Sequence, residues 1–250
     1  MSGYQALASY YDRLMSTDYD ALADHLLSLF AVHGDSPRTL LDLACGSGSL
    51  TAALCDRGVD MIGTDGSQDM LSLAAEKCPS ALLLCQDMRQ LDLNDVVDGA
   101  VCTLDSISHL LRTADIAAVL DRLRLFIAPD GLLIFDVNTP HKHRHTLGDH
   151  TFVLEDDEVM CVWQNYFCER DNTVTMVLDF FEEQEDGRYD RVSDVIKERA
   201  YSLPTLKKLL AEAQFELVAV YEDMTTDAPS PTADRWTLVA RNRRPSEDYV

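Results

Sequence analysis

The chain of 250 residues lacks long apolar runs and lacks a basic segment followed by an apolar core at its start. A membrane-spanning helix needs roughly 20 consecutive apolar residues, and no stretch approaches that length. A secretory leader combines basic and apolar parts, and MSGYQALASYYDRLM has neither. We therefore predict a soluble, cytoplasmic protein with no membrane partner.

Paired cysteines and concentrated basic charge are also missing. The seven cysteines are odd in number and form no CxxC pair, which argues against a disulfide framework and a structural zinc site. Only 21 basic residues accompany 43 acidic ones, and the net charge of -22 repels a phosphate backbone. The one basic cluster, residues 141–145, is short. Nucleic acid is therefore not an expected partner, whereas a small molecule or a basic polypeptide is.

Short apolar runs do alternate with amphipathic stretches over residues 39–138. Such alternation is typical of βα units around a parallel sheet. The strands predicted in this part are residues 39–44, 59–64, 81–85, 100–104 and 132–137. Two further strands, residues 215–221 and 235–240, follow a helix late in the chain.

The pattern changes to a two-residue period after residue 151, as Val174, Met176, Leu178 and Phe180 show. The strands predicted here are residues 159–167, 173–183 and 189–200, with a hairpin turn at Asp186-Gly187. We expect residues 139–198 to form an inserted antiparallel cap. Residues 1–138 and 199–250 then form the main domain.

The first 35 residues are predicted to be helical. Leu22, Leu26, Leu29 and Phe30 share one face at helical spacing. We expect residues 1–35 to form a lid across the ligand edge of the sheet.

A glycine loop follows the first predicted strand. Asp42, Ala44, Gly46 and Gly48 stand in the order DxAxGxG. Small residues let the backbone approach a ligand closely, and glycine permits the torsions of a tight turn. A nucleotide-type site is one interpretation, and a turn whose glycines serve helix–sheet packing is the other. NAD is disfavoured because the pattern GxGxxG needs glycine where the chain has Thr51.

Acidic residues follow the second and third predicted strands. Asp65 lies in GTDGSQDM, where a carboxylate can accept hydrogen bonds from both hydroxyls of a ribose. The alternative is that Asp65 only caps the helix that begins near Ser67. After the third strand, Asp87 can bind an adenine amino group while Met88 packs on the ring. In register with the glycine loop, these residues predict an adenosyl ligand.

These segments resemble the class I methyltransferases that use S-adenosylmethionine (SAM). The resemblance rests on LLDLACGSGSL, GTDGSQDM, CQDMRQLDL, CTLDSISHLL and LLIFDVN, and covers residues 1–138 and 199–243. The segments YYDRLM and FFEEQEDGRYDR are similar to the bacterial YqeM-like group of small methyltransferases. The resemblance implies a Rossmann-like α/β fold with a seven-stranded, mainly parallel sheet and an antiparallel final hairpin.

The same resemblance implies which residues bind SAM and its product S-adenosylhomocysteine (SAH). Leu104 and Asp105 would lie beside the sulfonium, and Tyr11 would close over the site from the N-terminal helix. The expected set is Tyr11, Asp42, Ala44, Gly46, Gly48, Asp65, Gly66, Met70, Asp87, Met88, Leu104 and Asp105.

Methyl transfer from a sulfonium needs little acid–base machinery, because the methyl group is already activated. The protein must mainly align the acceptor atom and exclude water. For a hydroxyl or a protonated amine a base is useful, and His109 or Asp105 in DSISH is a candidate. A structural role is equally open, in which Asp105 and Ser106 cap the next helix and His109 only packs.

The insertion is expected to hold the acceptor. Asn138 and His141 follow the fifth predicted strand, where a substrate can enter between core and cap. Trp163, Tyr166 and Tyr189 are candidate pocket residues, although aromatic side chains of a small sheet also form its own core. An antiparallel sheet must cover any apolar face, so a homodimer through the insertion is a further prediction.

Alternating histidines at positions 141, 143 and 145 invite a metal interpretation, since imidazole is a common ligand. No carboxylate pair accompanies them at ligand spacing, so no metal is expected.

We predict methyl transfer from SAM to an unidentified small molecule. Two alternatives remain: a non-catalytic SAM or SAH binder that acts through partners, and an enzyme that transfers a different group of SAM. The sequence does not decide among O, N, S and C as the acceptor atom.

Overall fold

The computed structural model describes residues 17–34, 36–156 and 159–245, which form one sheet of seven strands and one of four. The strands are β1 (Thr39–Leu43), β2 (Asp60–Asp65), β3 (Leu82–Cys85), β4 (Val97–Cys102), β5 (Ile127–Asn138), β6 (Thr151–Glu155), β7 (Val159–Cys168), β8 (Thr173–Glu183), β9 (Tyr189–Arg199), β10 (Phe215–Glu222) and β11 (Arg235–Asn242).

The large sheet has the strand order β10-β11-β5-β4-β1-β2-β3. Strands β1 to β5 are parallel, whereas β11 is antiparallel to both β5 and β10. The chain runs outward from β1 to β3 and then returns to the other side of β1 with β4. Ligands of open α/β sheets bind at such a switch point, outside the carboxyl ends of the strands. The predicted Rossmann-like fold is confirmed.

Strand ends differ from the prediction where the backbone turns sharply. β4 ends at Cys102 rather than at residue 104, because Leu104 and Asp105 adopt left-handed torsions with φ of 56° and 69°. β5 begins at Ile127, five residues before the predicted start at 132 (132 − 127 = 5).

Helices cover both faces of the large sheet. They are α1 (Tyr19–His33), α2 (Ser49–Asp56), α3 (Gln68–Lys77), α4 (Thr113–Phe126) and α5 (Leu203–Glu212). Side chains alternate along β1, so Leu40 packs with α1 and α2 while Leu41 packs with α4 and α5 on the other face. Shorter helical turns span Met88–Gln90, Ser106–His109 and Lys142–Leu147.

Helix α1 lies against a face of the sheet. Leu26, Leu29 and Phe30 are buried in the cluster that contains Leu40 and Ile134. The predicted apolar face is therefore correct: this helix covers a face of the sheet with its leucines, and its first residue, Tyr19, also reaches the ligand edge. Residues 1–16 lie outside the described part, so a lid there stays a prediction.

The small sheet has the order β6-β7-β8-β9 and is antiparallel throughout. Its three predicted strands are present, and β6 is an addition to the prediction. Phe180 is buried at 1% exposure in a cluster with Val174, Met176 and Leu178. The two-residue period therefore did mark an apolar inner face.

No helix among residues 17–34, 36–156 and 159–245 is both long and apolar enough to cross a membrane.

Candidate functional site

A large cavity opens at the carboxyl ends of β1, β2 and β4, which is the ligand edge of the sheet. Its volume is about 1040 Å³, slightly above the range of about 300–1,000 Å³ that is typical of ligand pockets. We name its two sides by their residues. The loop side includes Gly46, Asp65 and Asp87, and the cap side includes Asp105 and Glu198. His109 also lines the cavity.

The two loop glycines have different tasks. Both have left-handed torsions, with φ of 54° at Gly46 and 77° at Gly48. A Cβ at Gly46 would meet nothing within 4 Å, so this residue leaves open space for a ligand. A Cβ at Gly48 would lie 2.6 Å from the Cβ of Ala74 in α3. Gly48 therefore allows the loop to pack closely against α3, and the open space at Gly46 fits the ligand interpretation; cofactor binding by Gly48 stays a prediction. Ala44, with φ of 61°, also lines the cavity.

Asp65 ends β2 and connects two backbone segments. It accepts hydrogen bonds from the N–H groups of Gly46 (3.0 Å) and Ser67 (2.8 Å). A carboxylate has about four lone-pair sites, so it retains acceptor capacity for ligand hydroxyls. Burial is the main reason why the pKa of Asp65 is raised. Ser67, which accepts from the Met70 N–H (3.3 Å), caps α3, so the interpretation of Asp65 as that cap is wrong.

Asp42 lies beneath the loop and is 2% exposed. It accepts a hydrogen bond from the hydroxyl of Thr51 (2.6 Å). Burial raises the pKa of Asp42 to about 6, although the Thr51 hydrogen bond acts in the opposite direction. Thr51, which stands where the GxGxxG pattern needs a glycine, thus connects α2 to Asp42 in β1.

Asp87 and Met88 line the cavity after β3, as do Gly66 and Met70 beside Asp65. Asp87 caps the short helical turn through the N–H of Arg89 and also pairs with its guanidinium. The hydrogen bond with this side chain lowers the pKa of Asp87. An adenine amino group would have to share this carboxylate with Arg89, which the sequence interpretation did not foresee.

Asp136 supports the strained turn after β4. Its two oxygens accept hydrogen bonds from the N–H groups of Leu104 and Asp105, both at 2.8 Å. Left-handed torsions in residues other than glycine cost about 1–3 kcal/mol each and persist where the surroundings enforce them. Asp136, 4% exposed, provides that enforcement.

Asp105 pairs with cations from distant parts of the chain. Its Oδ2 lies 3.0 Å from Arg235 and 3.9 Å from Lys142, while Arg235 also lies 3.3 Å from Asp136. Burial raises the pKa of Asp105 to about 6, against the effect of Arg235 and Lys142. Asp105 makes no side-chain cap on the turn Ser106–His109. The capping interpretation is therefore wrong for its carboxylate.

Glu198 of β9 reaches the same region from the small sheet. It is 6% exposed and accepts a hydrogen bond from the amide of Asn138 (2.9 Å). His109 Nε2 lies 3.8 Å from its Oε1, and His143 Nε2 lies 3.6 Å from its Oε2. Asn138 also accepts from Lys142 Nζ (2.6 Å). Asn138 thus positions two cavity residues, Lys142 and Glu198.

The remaining predicted substrate residues are not brought together. Trp163 lines the cavity and donates to Asn165 (2.8 Å). Tyr166 and Tyr189 are 55% and 56% exposed and lie outside the cavity wall, because their positions in β7 and β9 face away from the inner cluster. His141 is not in the wall either. Tyr11 lies outside the described residues.

The three alternating histidines have different surroundings. His141 stacks against His145 with ring centroids 4.7 Å apart. His143 is fully buried and contacts the carbonyl of Asn172 (3.1 Å) as well as Glu198. Within the described ranges no group of three or more His, Cys, Asp or Glu residues is arranged to hold a metal ion.

Sequence reasoning missed four cavity or supporting residues: Asp136, Lys142, Glu198 and Arg235. Asp136 was visible as the one carboxylate within the apolar strand LLIFDVN. Glu198 shares the alternation of Ile196 and therefore faces inward. Arg235 had no local signal, because its partner Asp105 is 130 residues away.

Similarity to known proteins identifies the family of this chain. A family model described as a methyltransferase domain matches residues 40–131. The putative methyltransferase YqeM of Bacillus subtilis (strain 168) is 30% identical over 96% of this chain and 98% of its own length. The chain belongs to the class I SAM-dependent methyltransferases. The predicted resemblance to the YqeM-like group is confirmed, and the enzyme uses SAM as its methyl donor.

Two further similarities concern structure and chemistry. A SAM-dependent methyltransferase from Clostridium acetobutylicum ATCC 824 has a crystal structure that superposes with a TM-score of 0.85. It is 29% identical over 95% of this chain and 98% of that one. A dTDP-3-amino-3,6-dideoxy-alpha-D-glucopyranose N,N-dimethyltransferase from Streptomyces fradiae is 34% identical over 48% of this chain and 47% of its own length.

The cavity of this methyltransferase fits the chemistry of SAM. Gly46 leaves space beside the loop, and Asp65 keeps acceptor capacity for hydroxyl groups. The cavity wall contains more Asp and Glu residues than Lys and Arg residues, which suits the positive charge of a sulfonium.

Proposed function

We propose that the methyltransferase transfers the methyl group of SAM to a small-molecule acceptor held on the cap side of the cavity. This proposal rests on the cavity of about 1040 Å³. Its loop side suits an adenosyl group, and its cap side is lined by side chains of the small sheet. The Streptomyces fradiae relative acts on an amino sugar by name, which supports a small acceptor. The net charge of -22 argues against nucleic acid.

The loop side would hold the donor. In this proposal the ribose hydroxyls bind Asp65, adenine lies at Asp87 and Met88, and the methionine part passes Gly46. SAM supplies a methyl group that is bonded to a positively charged sulfur. The acceptor atom attacks this methyl group in line with the methyl–sulfur bond, and the sulfur leaves. Leu104 and Asp105 would lie beside that sulfur, since both residues line the cavity.

The cap side would hold the acceptor. The inner face of the small sheet presents Trp163, Met176 and Leu178 to the cavity. His109 is the better candidate for a general base, because Asp105 is paired with Arg235 at 3.0 Å. Asp105 would instead hold Arg235 beside the cavity. Tyr166 and Tyr189 are not part of this proposal.

Binding and turnover test the proposal in two steps. Calorimetry with SAM, SAH and NAD should show binding of SAM and SAH but not of NAD. Incubation with SAM and a metabolite extract should release SAH, and mass spectrometry should find a metabolite that gains one methylene. Binding of NAD without SAM would contradict the donor assignment, and SAM binding without SAH release would contradict the acceptor assignment.

We also infer a homodimer through the outer face of the small sheet. Val153, Tyr166 and Val195 lie on that face and are 57%, 55% and 57% exposed. An apolar face of this kind can bury itself against a second copy in a two-fold interface. Sedimentation velocity should show a dimer that Val195→Lys converts to a monomer. A monomeric wild-type enzyme, or a dimer that tolerates the lysine, would contradict the inference.

A further inference from the structure

Glu198 is a buried carboxylate that belongs to the cap and faces the cavity. It stands near the end of β9, next but one to Ile196, which also lines the cavity. Its Oε2 accepts the hydrogen bond from Asn138 (2.9 Å). Its Oε1 has His109 Nε2 at 3.8 Å, which is beyond hydrogen-bonding distance. This oxygen therefore has capacity for a donor that enters with a ligand.

The permanent cations of the cap side are committed to other acids. Arg235 pairs with Asp105 at 3.0 Å and Asp136 at 3.3 Å, and Lys142 lies 3.9 Å from Asp105. Within the described residues, the ion pairs of Glu198 are both with histidines. Its charge thus lacks an arginine or lysine partner, which is costly for a buried carboxylate.

The surroundings of Glu198 favour its ionised form. Burial raises the pKa of its carboxyl group, but the neighbouring imidazoles of His143 and His109 and the hydrogen bond from the amide of Asn138 hold it below the usual range. A group that carries one positive charge would complete this site.

On the basis of the proposed function, we propose that Glu198 binds the protonated amino group of the acceptor, which is an amine on an apolar or aromatic body. Trp163, Met176 and Leu178 supply the apolar surface beside it. A neutral hydroxyl would add no positive charge beside Glu198, and an anionic acceptor would be repelled by Glu198.

Groups on the cap side can account for the proton that must leave the amine before methyl transfer. An ammonium has no lone pair, so His109 first takes one of its protons while Glu198 keeps the nitrogen in place. The nitrogen lone pair then forms the N–C bond as the methyl–sulfur bond breaks, and that bond's electron pair stays on sulfur. The products are a protonated N-methylamine and a neutral thioether. His109 returns its proton to solvent.

Selective blocking of amines tests the acceptor class. A metabolite extract from the native host is divided, and one half is acetylated with N-hydroxysuccinimidyl acetate, which blocks amines and leaves alcohols. The enzyme with SAM should release SAH from the mock-treated half, and the acetylated half should lose at least about nine-tenths of that signal. Equal release from both halves would overturn the amine but not the proposed function. No release from the mock-treated half would overturn both.

A variant pair tests the role of Glu198 itself. Glu198→Gln keeps the shape and removes the charge, while Asp190→Asn makes the same change at an exposed position of β9. Glu198→Gln should raise the KM for the amine fraction at least about tenfold and leave the Kd for SAM, measured by calorimetry, within about twofold. Glu198→Asp should recover part of the KM. An unchanged KM in Glu198→Gln, or a KM increase of equal size in Asp190→Asn, would overturn the assignment.

Discussion

The loop side and the cap side of the cavity are constructed differently. On the loop side, the principal contacts join a side chain to nearby backbone, as Asp65 does with Gly46 and Ser67. On the cap side, side chains meet side chains from distant strands, as Arg235 does with Asp105. Binding of the donor therefore depends on local backbone geometry, whereas binding of the acceptor depends on how the two sheets pack. The acceptor side can change with the insertion while the donor side stays the same.

Removal of Asp136 should have the largest effect on stability, because its buried contacts support the cap side. Asp136→Ala leaves two backbone N–H groups without their acceptor and removes one of the carboxylate partners of Arg235. Loss of one partner of a buried ion pair costs about 3–5 kcal/mol, and we expect the free energy of unfolding in urea to fall by that amount. Asp223→Ala is the control, because Asp223 is 59% exposed and 3.8 Å from Arg235. Equal losses in the two variants would contradict the central role of Asp136.

The pH dependence of stability should report Asp42 beneath the loop side. Its pKa is 3.8 in an ordinary setting and about 6 in the fold, so the folded state binds more protons between these values. The free energy of unfolding should therefore fall as the pH rises through that window, by up to about 3 kcal/mol from this residue. Asp42→Asn should remove this component. Identical slopes for variant and wild type in urea titrations from pH 4 to pH 7 would show that Asp42 is not responsible.

Asp65→Ala should weaken binding of the donor and leave binding of the acceptor unchanged. The change removes the acceptor of the ribose hydroxyls and of the Gly46 N–H. We expect the calorimetric Kd for SAM to rise about 100-fold, or about 2.7 kcal/mol. Asp60→Ala, at the exposed start of the same strand, should leave the Kd unchanged. A Kd within threefold of wild type in Asp65→Ala would contradict the ribose assignment.

The smallest effects should separate the two glycines of the loop. Gly48→Ala places a Cβ 2.6 Å from the Cβ of Ala74 and 2.8 Å from its Cα, so we expect a stability loss of about 2 kcal/mol. Gly46→Ala meets no neighbour and should cost about 1 kcal/mol through its left-handed torsion. SAM affinity should fall more in Gly46→Ala. The reverse order of stability losses in thermal unfolding would contradict this division.

Local patterns predicted much of the fold. Alternating apolar runs gave the seven strands of the large sheet, and the two-residue period gave three strands of the small one. Helix α1 was predicted by its leucines, but the surface that those leucines cover was not. The reason is that an apolar face indicates burial without indicating the partner.

Pattern alone was less reliable for the acceptor residues. Tyr166 and Tyr189 are aromatic and lie in the insertion, yet the pairing of β7 and β9 turns both to the exposed face. A one-residue change of register would exchange the faces. Trp163 has the opposite parity in β7 from Tyr166 and therefore reaches the cavity.

By itself, the sequence determined the donor and the loop that serves it. The torsions of Ala44, Gly46 and Gly48, and the carboxylate at the end of β2, depend on residues close together in the chain. Only the tertiary structure decided the cap side, where Asp105 meets Arg235 across 130 residues of chain and Asn138 meets Glu198 across 60. The physical reason is that the partner of a buried charge is chosen by strand register and sheet packing, and neither is encoded in local propensity.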